Sequence, residues 1–299
     1  MDLVARMWAA PPLLWDGGLG SGLLARGLDL TAGPPEMWLE THPAQVRALH
    51  EEFVAAGVDV LQTNTFNLLR LYVGASPLPA AQIGSMAAAA VALAREAAAG
   101  AGVRVVASLG PSGQPQPDPA RVEAACAELA AALVQAGAEA VHLETAWHPQ
   151  ELTAALRGAR AGAAGRPVLA SLTLSLGHTG LETPLGIPLA SMLRAMDREP
   201  PDGVGLNCSQ NARRMLPAVE RLAQWASGHL PLLAQPQVDP PGLDCKGRTR
   251  PEPAEQFVHD LLRLVEAGAT AIGGCCGCTA AHLAAVRHAL GPRQDPPRG

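Results

Sequence analysis

The sequence predicts an α/β protein folded as a single-domain (β/α)8 TIM barrel, on three observations. Eight short β-branched or leucine-rich runs are each followed by a helical pattern, and such alternation argues for a parallel sheet with crossover helices. Eight units also suit the roughly 250 residues typical of a closed barrel. Finally, polar and thiol side chains fall at the C-terminal ends of these runs, where such barrels build their sites. They are Asp16, Thr63, Thr65, Ser108, Glu144, Cys208, Cys275 and Cys276. An open doubly wound sheet is the alternative. It would carry G-x-G-x-x-G after its first strand, but with Gly18 and Gly20 in place the third position is Leu23.

In order, Leu13 to Trp15 reads as a short buried strand ending in the loop Asp16-Gly17-Gly18-Leu19-Gly20. Pro43 to Ala56 has helical spacing, and Val58 to Gln62 is a strand leading into Thr63-Asn64-Thr65-Phe66. A long alanine-rich helix, Pro79 to Gly100, precedes the strand Val103 to Leu109 and its Gly110-Pro111-Ser112-Gly113 turn. The helix Pro119 to Ala136 leads to the strand Ala140 to Leu143, closed by Glu144-Thr145. Helix Pro149 to Ala161, strand Val168 to Leu174 and a glycine-rich loop, Gly177 to Gly186, follow. Then come helix Pro188 to Met196, strand Val204 to Leu206 with Asn207-Cys208 at its end, and helix Arg213 to Trp225. Strand Leu232 to Ala234 opens the polar loop Gln235 to Pro251. Helix Pro253 to Ala267, strand Ala271-Ile272 and helix Ala280 to Leu290 complete the pattern. The barrel is therefore assigned to residues 1–291, and the proline- and arginine-rich tail 292–299 is expected to be disordered.

Composition narrows the function. Of 299 residues, 48% are hydrophobic but only 3% aromatic, so alanine, leucine and valine must fill the core. A net charge of −5 without any basic run gives nucleic-acid binding no electrostatic support. The apolar start, Met1 to Trp15, carries Asp2, Arg6 and Pro11-Pro12, a weak pattern for a secretory signal. Ser85 to Gly102 is broken by Arg95-Glu96 and is no membrane span. Six cysteines in so long a chain are not the framework of a small secreted domain. Three at one spot indicate metal chemistry in a reducing cytoplasm.

Those three organise the site. Cys275 and Cys276 follow Ala271-Ile272-Gly273-Gly274, and Cys208 follows Val204-Gly205-Leu206-Asn207. Neighbouring side chains on a strand point to opposite faces, so one ion can take both Cys275 and Cys276 only if the chain turns there; the flanking glycines permit it. Three thiolates are one short of a closed structural zinc site and match a catalytic one with an open position. What fills the fourth place is left open by the residues alone.

The chain resembles the homocysteine S-methyltransferases: betaine–homocysteine methyltransferase, the S-methylmethionine-dependent enzymes and the homocysteine module of cobalamin-dependent methionine synthase. The matching pieces are Asp16-Gly17-Gly18, Thr63-Asn64-Thr65-Phe66, Ser108-Leu109-Gly110-Pro111, Glu144-Thr145, Gly205-Leu206-Asn207-Cys208 and Gly273-Gly274-Cys275-Cys276-Gly277. They span nearly the whole chain in the family's order, and the last two together are highly specific.

The resemblance implies a Zn2+ held by Cys208, Cys275 and Cys276, with the sulfur of homocysteine in the fourth position. It implies substrate contacts at Asp16, Gly17, Gly18, Thr63, Ser108 and Glu144, with Asp16 and Glu144 near the ammonium group and the glycine amides helping to hold the amino acid. The methyl donor would be an onium compound or a methylated corrinoid on a separate protein. No catalytic acid–base residue is required, because attack on an activated methyl needs in-line placement of the two reactants. Trp8, Trp38 and Trp147 are candidates for a cation cage around a donor.

Two thiols fall outside the set: Cys126, within a helical run, reads as core, and Cys245, in a polar loop, as solvent-facing. Cys278, where the family usually has another residue, is expected to pack at the start of the last helix, whose dipole can lower its pKa. If instead it joined Cys208, Cys275 and Cys276, the site would be a closed, non-catalytic zinc or thiol redox-sensing module.

Overall fold

The computed structural model describes all residues except 1, 10–11, 178–179, 209, 239–241, 244–248, 251 and 294–299, with backbone alone at 242–243 and 249–250. Cys245 and the tail beyond Arg293 lie outside the described residues.

Eight parallel strands form one sheet: β1 (Leu13–Leu14), β2 (Val60–Gln62), β3 (Arg104–Leu109), β4 (Val141–Ala146), β5 (Val168–Leu172), β6 (Gly203–Asn207), β7 (Leu232–Gln235) and β8 (Ala271–Ile272). Their order is β1-β8-β7-β6-β5-β4-β3-β2. A parallel bridge from Trp15 to Val60 joins β1 to β2 and closes the ring. The eight expected strands and their following helices are all present, and the fold is a (β/α)8 barrel.

Strand alternation sorts the core into two layers. Leu13, Trp15, Val60, Val106, Leu169, Leu233 and Ala271 point inward and pack together. Leu14, Leu61, Val105, Val141, Val168, Leu232 and Ile272 point outward into the larger cluster beneath the helices. The sequence reading missed the short helix Leu3–Met7, capped by Asp2, whose side chain accepts from Ala5 N at 2.8 Å. Its Leu3 and Met7 join the inner cluster and plug the end of the barrel where the strands begin. Helices Leu19–Ala25 and Leu68–Val73, and the two-stranded ribbon Ser175–Gly177 with Gly180–Glu182, were also missed.

The β1–β2 seam has further support at that same end. Asp59 Oδ2 accepts from Leu14 N at 2.8 Å and from Arg287 at 2.5 Å, while Oδ1 accepts from Arg293 Nε at 3.0 Å. Arg293 also donates to the carbonyls of Ala101 and Gly102 at 2.5 and 2.8 Å. Within the segment expected to be a free tail, Arg293 is thus tied to the barrel. Among the described residues no helix is long and apolar enough to cross a membrane.

Candidate active site

The expected metal ligands and homocysteine contacts all line a single cavity of about 310 Å³ at the C-terminal ends of the strands: Asp16, Gly17, Gly18, Thr63, Ser108, Glu144, Cys208, Cys275 and Cys276; Thr65 does not reach it.

The thiols converge because the chain turns beneath them. Cys278 N donates to Cys275 O at 3.0 Å, closing a tight turn, and Gly277 adopts φ +78°. Cys208 itself has φ +58° just past β6. Sulfurs of Cys208, Cys275 and Cys276 all lie within 4.8 Å of one another, and Cys208 and Cys276 are 3.7 Å apart. Hydrogen bonding to the Cys208 sulfur pushes Cys276 up to about 11 and Cys275 well above a thiol's ordinary value. Three thiolates this close repel one another, so a cation is needed to hold all three ionised.

Cys278 is not part of this set. It is buried, its sulfur faces the Thr279 carbonyl at 4.0 Å, and it packs so closely on Gly274 that a Cβ there would meet it at 2.2 Å. Burial pushes its thiol up, so the expected lowering at a helix start is overridden by loss of solvent. Among the described residues, therefore, no fourth thiol joins Cys208, Cys275 and Cys276.

Gly17 and Gly18 have a packing role. A Cβ at Gly17 would lie 2.6 Å from Cys278 O, and one at Gly18 2.5 Å from Cys275 O. The Gly18 amide donates to Cys278 O at 3.1 Å, so it seats the cysteine turn and is not offered to the cavity as expected.

Glu144 stands on a bulge. Leu143 pairs with Ala170 and Ala146 with Leu172, which leaves one extra residue on β4, and Thr145 takes φ +56° to absorb it. Gln62 and Ser108 both donate to Glu144 Oε1, and Asn207 Nδ2 donates to Oε2 at 3.2 Å. Burial raises Glu144 to about 7 despite these donors. Asp16 is also raised well above a carboxylate's usual value by burial. Its Oδ2 accepts from Gln62 N at 2.7 Å, while Oδ1 has no hydrogen-bond partner among the described residues. Thr63 reaches the cavity wall, but its hydroxyl is engaged with Thr65 at 2.6 Å and with Ser108 N at 3.2 Å.

Several lining residues escaped the sequence reading. Gln62 and Gln235 are inward-facing polar residues at the last positions of β2 and β7, and Gln235 Nε2 donates to Gln62 Oε1 at 2.6 Å. Buried His142 lies below them, within 2.7 Å of Ser171 Oγ and 3.2 Å of Gln62 Nε2. A polar residue at the end of an apolar strand was the available signal. Glu36, fully buried and bonded to Asn67 N at 2.7 Å, gave none, since it lies in the short 3-10 helix Pro35–Met37, far along the chain from any strand end. None of the three tryptophans proposed as a cage lines the cavity. Trp8 is exposed beside the plugging helix, Trp38 stacks on His42 at 4.5 Å, and Trp147 lies behind Glu144. Phe66 is the aromatic residue in the described lining, which includes three carboxylates and no basic side chain.

A barrel whose mouth gathers three thiols beside buried carboxylates defines a class of protein with the ligand set for a metal ion at the place where such barrels build their sites. The chain belongs to the homocysteine S-methyltransferase family, which it matches over residues 13–290. It is 30% identical to methionine synthase of Mycobacterium tuberculosis, covering 96% of this chain and 25% of that protein. The chain thus spans about a quarter of that relative's length. Among solved structures it resembles the homocysteine methyltransferase MmuM from Escherichia coli. The apo form gives a TM-score of 0.72 at 25% identity, covering 94% of this chain and 96% of that one. The metallated form gives 0.75 at 23% identity over 94% and 97%, a likeness of fold.

Proposed function

We propose that the chain is a zinc-dependent homocysteine S-methyltransferase that forms methionine, with residues 1–291 as one homocysteine-binding domain. The observation that carries the reading is the convergence on one cavity of three thiols and two ammonium-type acceptors, Asp16 and Glu144. Zinc–sulfur bonds of about 2.3 Å in a tetrahedron place sulfurs roughly 3.8 Å apart; the Cys208–Cys276 separation is 3.7 Å. The donor set therefore fits zinc, with Cys208, Cys275 and Cys276 as ligands. When bound, zinc keeps a substrate thiol as its thiolate at neutral pH and leaves it nucleophilic.

The remaining work falls to the chain. Asp16 Oδ1, which has no hydrogen-bond partner among the described residues, and the Glu144 carboxylate accept from the ammonium of homocysteine, which in turn holds both carboxylates ionised. Gln62, Ser108 and Asn207 fix Glu144 so that the amino acid presents its sulfur toward the cysteines. The homocysteine sulfur attacks the donor methyl carbon, and the carbon–donor bond breaks with its electron pair leaving on the donor. An onium compound or a methyl-corrinoid on a separate protein both meet that requirement. The described lining, which is acidic and has no basic side chain, supports a positively charged donor. A cytoplasmic setting suits reduced thiols.

The test is metal analysis together with a donor panel scored by methionine formed. Cys208→Ala, Cys275→Ala and Cys276→Ala should each lose zinc and turnover, while Cys126→Ala, buried in helix Pro119–Gln135, should lose neither. Full activity in any of the three ligand variants would sink the assignment.

A further inference from the structure

A second, far smaller cavity of about 20 Å³ lies on the other side of Glu144, beneath the loop that leaves β4. A site of roughly 10–15 Å³ in this measure accommodates one water molecule. Its wall carries three buried polar atoms that have no hydrogen-bond partner among the described residues: Trp147 Nε1, His148 Nδ1 and Glu151 Oε2. Glu151 is only 4% exposed, and its other oxygen accepts from Ser112 N at 2.6 Å. Leaving a buried carboxylate oxygen and an indole N–H both unpaired is costly.

The donor and acceptor inventory identifies the occupant. The indole N–H can only donate and the carboxylate oxygen can only accept, while His148 Nδ1 does either according to tautomer. A cation would meet the indole N–H head-on. We infer that one ordered water occupies this cavity, accepting from Trp147 Nε1 and donating to Glu151 Oε2 and His148 Nδ1. All three atoms are then satisfied, and neutral His148 carries its proton on Nε2. The water joins the loop after β3, through Ser112 and Glu151, to the loop after β4, through Trp147 and His148. Glu144 sits on the β4 bulge, three residues before Trp147 in that second loop. Glu151 is thus a positioning residue: it supports from behind the carboxylate that Gln62, Ser108 and Asn207 hold from the front.

A crystal structure of the full chain at about 1.5 Å or better tests the site directly. A density peak within hydrogen-bond distance of all three atoms is expected, and nitrogen NMR should show His148 protonated at Nε2. A cavity without density, or His148 protonated at Nδ1, overturns the proposal. The positioning role rests on the proposed function and is read separately. Glu151→Gln replaces an acceptor with a donor, and Trp147→Phe removes the indole N–H. Each should raise the homocysteine KM roughly three- to tenfold, the worth of one neutral hydrogen bond, with kcat within about twofold. A fall in kcat at unchanged KM in both overturns the positioning role. If wild-type enzyme makes no methionine with any donor, the functional reading fails while the density and tautomer still decide the water.

Discussion

Asn207 makes three contacts with the β4 bulge: Oδ1 accepts from Thr145 N at 2.8 Å, and Nδ2 donates to Thr145 Oγ1 at 2.8 Å and to Glu144 Oε2 at 3.2 Å. A bulge with a non-glycine residue at positive φ is strained and persists only where its surroundings over-determine it. Asn207→Ala should therefore release Glu144 and raise the homocysteine KM about tenfold with zinc retained, and metal analysis beside steady-state kinetics checks both halves. Glu144→Gln loses a charge-assisted bond to the ammonium, worth roughly 1.5–3 kcal/mol, and should raise KM tenfold to more than a hundredfold. Lost zinc at unchanged KM would recast Glu144 as a support for the ligands. Cys278→Thr should leave zinc content and turnover nearly unchanged, because the buried thiol points away from the sulfur cluster; chelator competition with and without homocysteine measures this. Thiols and acids at strand ends were legible in the sequence because strand ends in a barrel meet at one mouth. Gln62, Gln235 and Asn207 were harder to read as a network, because an amide's role depends on what stands across the barrel, which linear spacing does not encode.

Helices Pro119–Gln135 and Pro149–Gly162 touch at the level of their backbones. A Cβ at Gly158 would lie 2.1 Å from Glu123 O, and one at Gly162 2.1 Å from Ala127 O. Overpacking of this kind typically costs about 1–3 kcal/mol, so Gly158→Ala should lower the melting temperature by several degrees. Gly84, in helix Ala80–Ala98, has nothing within 4 Å of its would-be Cβ. Gly84→Ala should be neutral or stabilise by roughly 0.5–1 kcal/mol. Equal responses from the two glycines in thermal unfolding would refute the close-contact account. The eight principal helices were readable because each carries a long periodic apolar face between proline or glycine boundaries. Helix Leu3–Met7 and the ribbon Ser175–Gly177/Gly180–Glu182 are too short for a period to register; the helix is held by burial of Leu3 and Met7 against the barrel.

The closed barrel buries ionisable groups that couple its stability to pH. Burial alone lowers His50 to about 4, and both its ring nitrogens lack hydrogen-bond partners among the described residues. The unfolded chain takes up this proton below about 6.5, an ordinary histidine value, whereas the folded chain does not until about 4. His50's contribution is thus fully present above 6.5 and is lost as pH falls toward 4, at up to about 1.4 kcal/mol per pH unit. Asp16 and Glu144, both raised, act with the opposite sign, so the comparison of variants isolates the histidine. His50→Leu should flatten the acid limb of stability in that window, as read by denaturant unfolding from pH 7 to 4; parallel curves would reject it. The seam latch has another consequence. Helix Leu3–Met7 and Arg293 both sit where the strands begin, so each described end of the chain emerges on the side away from the mouth. Together they form a handle. A surface or tag gripping that handle leaves the cavity facing outward, whereas a donor module spliced on there needs a tether long enough to go around the barrel's flank.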